Sequence, residues 1–282
     1  MNGISKSITR NLANKTNEKE AAKAFSKQAR IFDDYDAGNT IIQYKRKRVR
    51  EHVLRYLLPY SSILELNAGT GQDAIYFAEQ GFRVHATDIA EGMQSRLKEK
   101  VDARGLCKRV TTELCSFTSL ATLKEKGPYD LIFSNFAGLN CTGDLKKVLR
   151  SFDSLVKPGG QVTLVILPGF SLWETLLVFK GKFRTAFRRM FSSKGVTSHV
   201  EGHYFKCWYY SPSFVIRTLR DSFDLLSVEG LCTIVPPSYI EHFAERHPKV
   251  YRWLRNAEDR WKGSWPWKSI GDYYIISLRK KA

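Results

Sequence analysis

The sequence predicts an α/β fold: a mostly parallel sheet of seven strands with helices on both faces, plus a helical, aromatic lid. Three observations lead there. Strand-like and helical runs alternate between residues 62 and 167. The turn after the first strand-like run is rich in glycine, and the second such run ends on Asp88. Strands separated by helices of this length argue parallel pairing through βαβ crossovers.

Taken in order, residues 1–20 are polar and rich in Lys, Asn and Thr, and are expected to be flexible. An N-terminal helical cap is expected over 21–58. Its first helix covers 21–32, the stretch FDDYDAGN breaks it, and a second helix over 41–58 places Ile42, Val49, Val53, Leu54 and Leu57 apolar before Pro59 ends it. The core is expected over 59–282. Strands are predicted at 62–66, 82–87, 106–111, 129–134 and 161–167, with helices at 71–80, 90–101, 118–124 and 143–156. After Pro168 the rhythm changes. Two insertions, at about 168–210 and 236–270, carry amphipathic helices broken near Gly181, the aromatic run GHYFKCWYYS and a helical stretch over 238–262. A helix over 212–221, a strand over 224–235 and the closing run DYYIISLRK return to the sheet.

Composition narrows the partners. Forty-five Lys and Arg against 28 Asp and Glu give a net charge of +17, a field that favours an acidic metabolite, an anionic lipid surface or RNA. The five cysteines form no CxxC pair, so neither a disulfide framework nor a zinc site is indicated, and no metal is expected. No run reaches 18 apolar residues. A cytoplasmic protein, with transient membrane-surface contact left open, is the expectation.

The stretch ILELNAGTGQDAIYFAEQGFRVHATD carries the chemistry. Gly69 and Gly71 permit close backbone approach at a helix N-terminus. The three-glycine dinucleotide fingerprint and the Gly-Lys-Ser/Thr of a phosphate loop are both missing, and Gln72 and Asp73 follow instead. An acidic residue there resists a pyrophosphate. Glu65 adds a second negative charge, and Asp88 stands where a carboxylate accepts both ribose hydroxyls. A ligand with a ribose, a positive centre and no phosphate satisfies all three features, and S-adenosylmethionine is such a ligand.

Extended to ILELNAGTGQDAIYFAEQGFRVHATDIAEGM, the stretch resembles the first motif and acidic second-strand end of class I S-adenosylmethionine-dependent methyltransferases. YDLIFSNFAGLNC resembles that family's fourth-strand motif and LVKPGGQVTLVI its turn into the fifth strand. The family's acidic-x-Gly-x-Gly-x-Gly pattern is matched by Glu65, Asn67, Gly69 and Gly71, so Asn67 departs from it. Asn accepts a left-handed backbone more readily than other non-glycine residues, and replacing Asn67 by glycine is expected to be tolerated.

The resemblance implies a Rossmann-like methyltransferase fold of the small-molecule type, with S-adenosyl-L-methionine as cofactor and S-adenosyl-L-homocysteine as product. It places Glu65 near the methionine part, Asp88 on the ribose and Ile89 beside adenine. Glu113 and Leu114 fall at the adenine amine, and Asn135 and Phe136 under the sulfonium. Tyr35, Ala68 and Met93 complete the expected cofactor contacts.

Ligands of open parallel sheets sit beyond the carboxyl ends of the strands, where the 168–210 insertion also empties. Asn140, Phe170, Trp173, Arg184, Arg188, Tyr204 and Trp208 are the expected acceptor-binding residues, and an aromatic lid suits a flat or lipidic acceptor. His199 and His203 are the histidines best placed for a base, with Tyr204 orienting an acceptor oxygen. The basic runs YKRKRVR (44–50) and Lys180, Lys182, Arg184, Arg188 and Arg189 are expected to be mostly solvated helix faces, one or two of them holding an acidic acceptor. The first expectation is methyl transfer to a small aromatic or lipidic molecule, with oxygen favoured over nitrogen or carbon. RNA methylation and a catalytically inactive binding protein of the same fold are the alternatives.

Overall fold

The computed structural model describes residues 2–190 and 192–282, with side chains from Ala13 onward on the first helix. Helix α1 spans Asn2–Ala37 and α2 spans Thr40–Leu54. Asn39 caps α2, its Oδ1 accepting the N–H groups of Ile41 and Ile42 at 3.1 Å. The expected start at Ala21 is corrected here: residues 13–20 are helical, and the side chains of 1–12 lie outside the described residues. Asn14 and Glu18 are buried. Glu18 accepts the hydroxyls of Ser116 and Thr118 at 2.8 Å, and Asn17 Nδ2 donates to the Cys141 carbonyl at 2.8 Å. Distant polar contacts anchor this stretch, and periodicity does not register such contacts.

Next come β1 (Ser62–Leu66), α3 (Gln72–Glu79), β2 (Arg83–Asp88), α4 (Glu91–Ala103), β3 (Val110–Leu114), β4 (Tyr129–Ser134), α5 (Leu145–Ser151) and β5 (Val156–Ile166). The third strand begins at Val110 rather than 106 because a turn comes first, with Arg109 N–H donating to Leu106 O at 2.8 Å. The helix expected at 118–124 is instead a pair of short 3-10 turns over Phe117–Thr122, kinked at Ser119. The 168–210 insertion holds short α6 (Leu172–Thr175) and α7 (Phe183–Phe187), parted at Gly181 with φ 70°. It then forms an antiparallel hairpin of β6 (Val196–Val200) and β7 (His203–Cys207), the latter taking up the aromatic run. Helix α8 (Pro212–Leu219), β8 (Phe223–Leu231), α9 (Phe243–Arg246), α10 (Pro248–Trp261) and β9 (Tyr273–Lys280) complete the chain. Strand β8 stops at Leu231, short of the expected 235, because the next four N–H groups converge on the buried carboxylate of Glu258 in α10 at 2.8–3.0 Å.

The strands form one seven-stranded sheet in the order β3-β2-β1-β4-β5-β9-β8, parallel except at β9, which is antiparallel to both neighbours. Alternate residues serve opposite faces. Leu64, Leu66, Ile132, Leu164 and Ile276 pack with α5 and α8, while Ile63, Val84, Leu131, Phe133 and Val165 pack with α2, α3 and α4. Two apolar layers thus enclose the sheet, the doubly covered arrangement that parallel strands require.

The basic run of α2 is not a solvated face. Lys45, Arg46 and Arg48 are buried. Arg46 pairs with Asp36 and, at 2.6 Å, with Asp73. Arg48 meets Glu229 at 3.3 Å and Glu258 at 3.4 Å, and Arg50 meets Asp73 at 2.7 Å. Buried charges persist when paired and hydrogen-bonded, so acids distant in sequence decide where this helix sits. Among the described residues, no helix is long and apolar enough to cross a membrane.

Candidate functional site

A cavity of about 310 Å³ runs along the carboxyl edge of the sheet, roofed by α1 and α2. Sheet order sets its two ends. Phe117, following β3, and Asp88, ending β2, lie to one side of β1; Phe136, following β4, and Tyr273, opening β9, lie to the other. The turn after β1 forms the floor. Asn67, Gly69 and Gly71 all have positive φ, at 46°, 56° and 78°. At Gly71 a β-carbon would lie 1.8 Å from Leu97 Cδ1, so the helix-to-helix approach itself demands glycine there.

Asn67 adopts the expected left-handed backbone, but its side chain does more than permit the bend. Nδ2 donates to the Asn135 carbonyl at 2.9 Å, and Oδ1 accepts the Ser134 hydroxyl at 2.6 Å. The amide also packs against Gly138, where a β-carbon would fall 2.3 Å from Asn67 Cγ. Asn67 therefore ties the β1 turn to the end of β4.

The acids of the wall fall into distinct states. Asp88 uses each carboxylate oxygen once, Oδ2 for Gly69 N–H at 2.9 Å and Oδ1 for Ala90 N–H at 2.8 Å. Burial pushes its carboxyl up, against the pull of these amides. One lone pair remains on each oxygen for ligand hydroxyls. Burial also pushes Asp73 up, but Arg46, Arg50 and the Asn135 amide outweigh it and hold the carboxyl low. At Glu65 the same two arginines are outweighed. Burial, then the charge of Asp73, raise it well above the usual carboxylate range.

Two buried atoms of the wall residues lack a partner among the described residues: Glu65 Oε2, an acceptor, and Arg46 Nε, a donor. An acceptor and a donor left open together match the ammonium and carboxylate of a zwitterionic amino-acid group. Together with Asp88 beyond the glycine turn, they fit S-adenosylmethionine, with Glu65 and Arg46 toward its methionine end and Asp88 toward its ribose.

The methyltransferase domain family matches residues 63–160. The tRNA 5-carboxymethoxyuridine methyltransferase of Escherichia coli K12 is 32% identical over 221 residues, covering 77% of this chain and 79% of that protein. The chain belongs to the class I S-adenosylmethionine-dependent methyltransferases. The demethylmenaquinone methyltransferase of Listeria welshimeri is 28% identical over 177 residues, 60% of this chain and 71% of the relative. Among solved structures, the 1,6-didemethyltoxoflavin-N1-methyltransferase of Burkholderia thailandensis, with S-adenosylhomocysteine bound, superposes with a TM-score of 0.55 at 16% identity. That match covers 94% of this chain and 88% of that one, and shows the fold.

For this methyltransferase, the cavity gathers Tyr35, Glu65, Asn67, Ala68, Gly69, Asp88, Ile89, Met93, Asn135 and Phe136 from the sequence expectations. It does not gather Gly71, Glu113 or Leu114. Both Glu113 oxygens accept the Lys124 N–H at 3.1 Å and one lies 3.2 Å from His85, while Leu114 is exposed. Phe117, three positions beyond Leu114, lines the cavity instead.

The structure places the expected base and acceptor residues away from this cavity. His199, His203 and Tyr204 stand on the β6–β7 hairpin, outside the cavity wall. His199 and Tyr204 pack ring to ring at 4.4 Å, and His203 lies 3.3 Å from Glu20. Asn140 is a buried clamp between the Leu167 and Trp208 backbones. Trp173 donates to the Thr233 carbonyl at 3.0 Å, Arg188 grips Glu174 at 2.6 and 2.9 Å, and Phe170 and Arg184 lie off the cavity. Tyr204 and Trp208 line a separate depression of about 570 Å³ between α1 and the hairpin, with Lys194 and Lys206. The sequence reading missed Phe25, Phe32, Asp36, Lys45, Arg46, Ser238 and Tyr273 on the wall. Only the basic run of α2 hinted at any of them.

Proposed function

We propose that this methyltransferase O-methylates an acidic group carried on a flat acceptor, seated at the β4–β9 end of the cavity. The observation that carries the reading is the wall itself: among the described residues no histidine lines the cavity. Its acids are engaged by amides, hydroxyls or arginines, and the open Glu65 oxygen is claimed by a cationic ligand. When bound, S-adenosylmethionine supplies an electrophilic methyl group. A carboxylate acceptor brings a ready nucleophile, so no proton has to be removed, and alignment carries the rate. The rings of Phe136 and Tyr273, 6.2 Å apart and edge to face, offer apolar walls for a flat partner.

The carrier of that acidic group is read as RNA. The Escherichia coli relative is named for a carboxymethoxyuridine of tRNA, and the net charge of +17 suits a polyanion. The depression beside α1 supports it, since exposed Tyr204 can stack on a base between Lys194 and Lys206. A free small-molecule acceptor is the second reading, favoured by the didemethyltoxoflavin and demethylmenaquinone enzymes of the same fold.

Methyl-labelled S-adenosylmethionine and bulk tRNA test this directly. Label in tRNA that mild alkali releases is the expected result, because a methyl ester is labile and a methylated base is not. Alkali-stable label overturns the methyl-ester assignment, and label only in a small-molecule extract overturns the RNA carrier. Glu65→Gln should weaken S-adenosylhomocysteine binding by roughly 1.5–3 kcal/mol in calorimetry, through loss of a charge-assisted hydrogen bond. Unchanged affinity in the folded variant removes Glu65 from the cofactor site.

A further inference from the structure

Among the buried cations of α2, Lys45 is the exception. Arg46 and Arg48 pair with carboxylates, whereas Lys45, 2% exposed, forms no ion pair with any described residue. Its Nζ donates to Ser238 Oγ at 3.0 Å and lies 4.7 Å from the Tyr273 ring centroid and 5.4 Å from that of Phe136. A hydroxyl and two ring faces compensate a buried ammonium only in part. Ser238 is itself held in place, its carbonyl accepting Asn39 Nδ2 at 3.1 Å from the residue that caps α2. Lys45, Ser238, Phe136 and Tyr273 all line the cavity at the end away from Asp88.

We propose that Lys45 and Ser238 form the subsite that holds the acidic group of the acceptor, and so determine its specificity. The inference rests on the cofactor reading above, which assigns Glu65 and Arg46 to the methionine end and leaves Lys45 unclaimed. The preferred anion is a single negative charge. A lone ammonium matches one negative charge, so a carboxylate is balanced by it and a phosphate dianion is not. Phe136 and Tyr273 flank the ammonium, so a carboxylate there is presented on or next to a flat ring.

Benzoate and its uncharged isostere benzamide serve as probes, titrated calorimetrically into protein saturated with S-adenosylhomocysteine. Wild type should bind benzoate about tenfold more tightly than benzamide. Lys45→Met should abolish that preference while S-adenosylhomocysteine affinity stays within about threefold. Ser238→Ala, which leaves the ammonium in place, should reduce the preference by a smaller factor and decides the matter if Lys45→Met does not fold. Normal S-adenosylhomocysteine binding with no benzoate preference in wild type overturns the subsite and leaves the cofactor reading standing. A Lys45→Met variant that loses tenfold in S-adenosylhomocysteine affinity assigns Lys45 to the cofactor's own carboxylate and also overturns it. Failure of wild type to bind S-adenosylhomocysteine at all overturns the cofactor reading, and this one with it.

Discussion

Replacing Asn67 by glycine would restore the family's own residue, and on sequence grounds that change is harmless. The structure gives the opposite sign. The amide of Asn67 makes two hydrogen bonds, to the Asn135 carbonyl and from the Ser134 hydroxyl, and Ser134 is fully buried. Each is worth about 0.5–1.5 kcal/mol net, and more where a buried hydroxyl is left unsatisfied. The relief gained at φ 46° is small, because Asn tolerates that region, and glycine adds about 0.5–1 kcal/mol of unfolded-state entropy to be lost. The balance is a destabilisation of roughly 2 kcal/mol, or about 4–8 °C in Tm at the size of this chain. Thermal melts of Asn67→Gly, Ser134→Ala and the double variant measure it. The Ser134 term should be shared, so the double variant should cost less than the sum of the singles. An Asn67→Gly protein melting at or above wild type refutes the reasoning, because the two contacts would then contribute nothing.

Two further predictions follow from groups outside the cavity. Trp208→Ala should lower Tm by several degrees, at roughly 2 kcal/mol for a half-buried indole packed on Gly143 and Gly195. S-adenosylhomocysteine affinity, measured on the same preparation, should stay unchanged, and a coupled loss would contradict Trp208's place outside the cofactor site. Burial pushes the Glu229 carboxyl up, but the hydrogen bond and charge of His52, with Lys262 and Arg55, outweigh it and hold the group well below the usual carboxylate range. That stabilisation is complete above the unfolded carboxylate pKa of about 4.3 and is lost as pH falls toward the folded value. Glu229→Gln should therefore be less stable at neutral pH and show a flatter acid limb, and parallel Tm-against-pH curves for the two proteins would contradict this.

The sheet was legible because its strands carry their pattern locally. The runs SILEL, YDLIFS and VTLVI are apolar, bounded by turn residues and spaced by helices. The glycine turn and its acid were legible for a similar reason: Gly69, Gly71 and Asp88 sit within twenty residues of one another on one strand–turn–helix–strand unit. The rest of the site depends on which distant segments meet. Helix α1 closes the cavity through Glu18, Phe25 and Phe32, yet the contacts that seat it reach residues 116, 118 and 141. Glu113 does not line the cavity: its carboxylate turns back to the Lys124 amide, leaving Phe117 at the wall. The lid histidines lie off the cavity because the hairpin carrying them packs against α1, a pairing of β6 with β7 that the aromatic run concealed.

The charge of α2 shows why composition and site diverge. A run of five cations in seven residues reads as a solvated face, and by count most such runs are. Here Arg46, Arg48 and Arg50 are drawn inward by Asp36, Asp73, Glu229 and Glu258, acids from four separate parts of the chain. Those pairs fix the helix over the cavity and spend their cations on structure. They leave one cation of that cluster, Lys45, without an acid of its own, beside the two rings at the acceptor end. Positive charge on the outer surface therefore answers only to the question of what approaches this protein. In the proposed subsite the acceptor's acid meets a single ammonium, whose lack of an acid partner among the described residues becomes visible only once its neighbours have been paired.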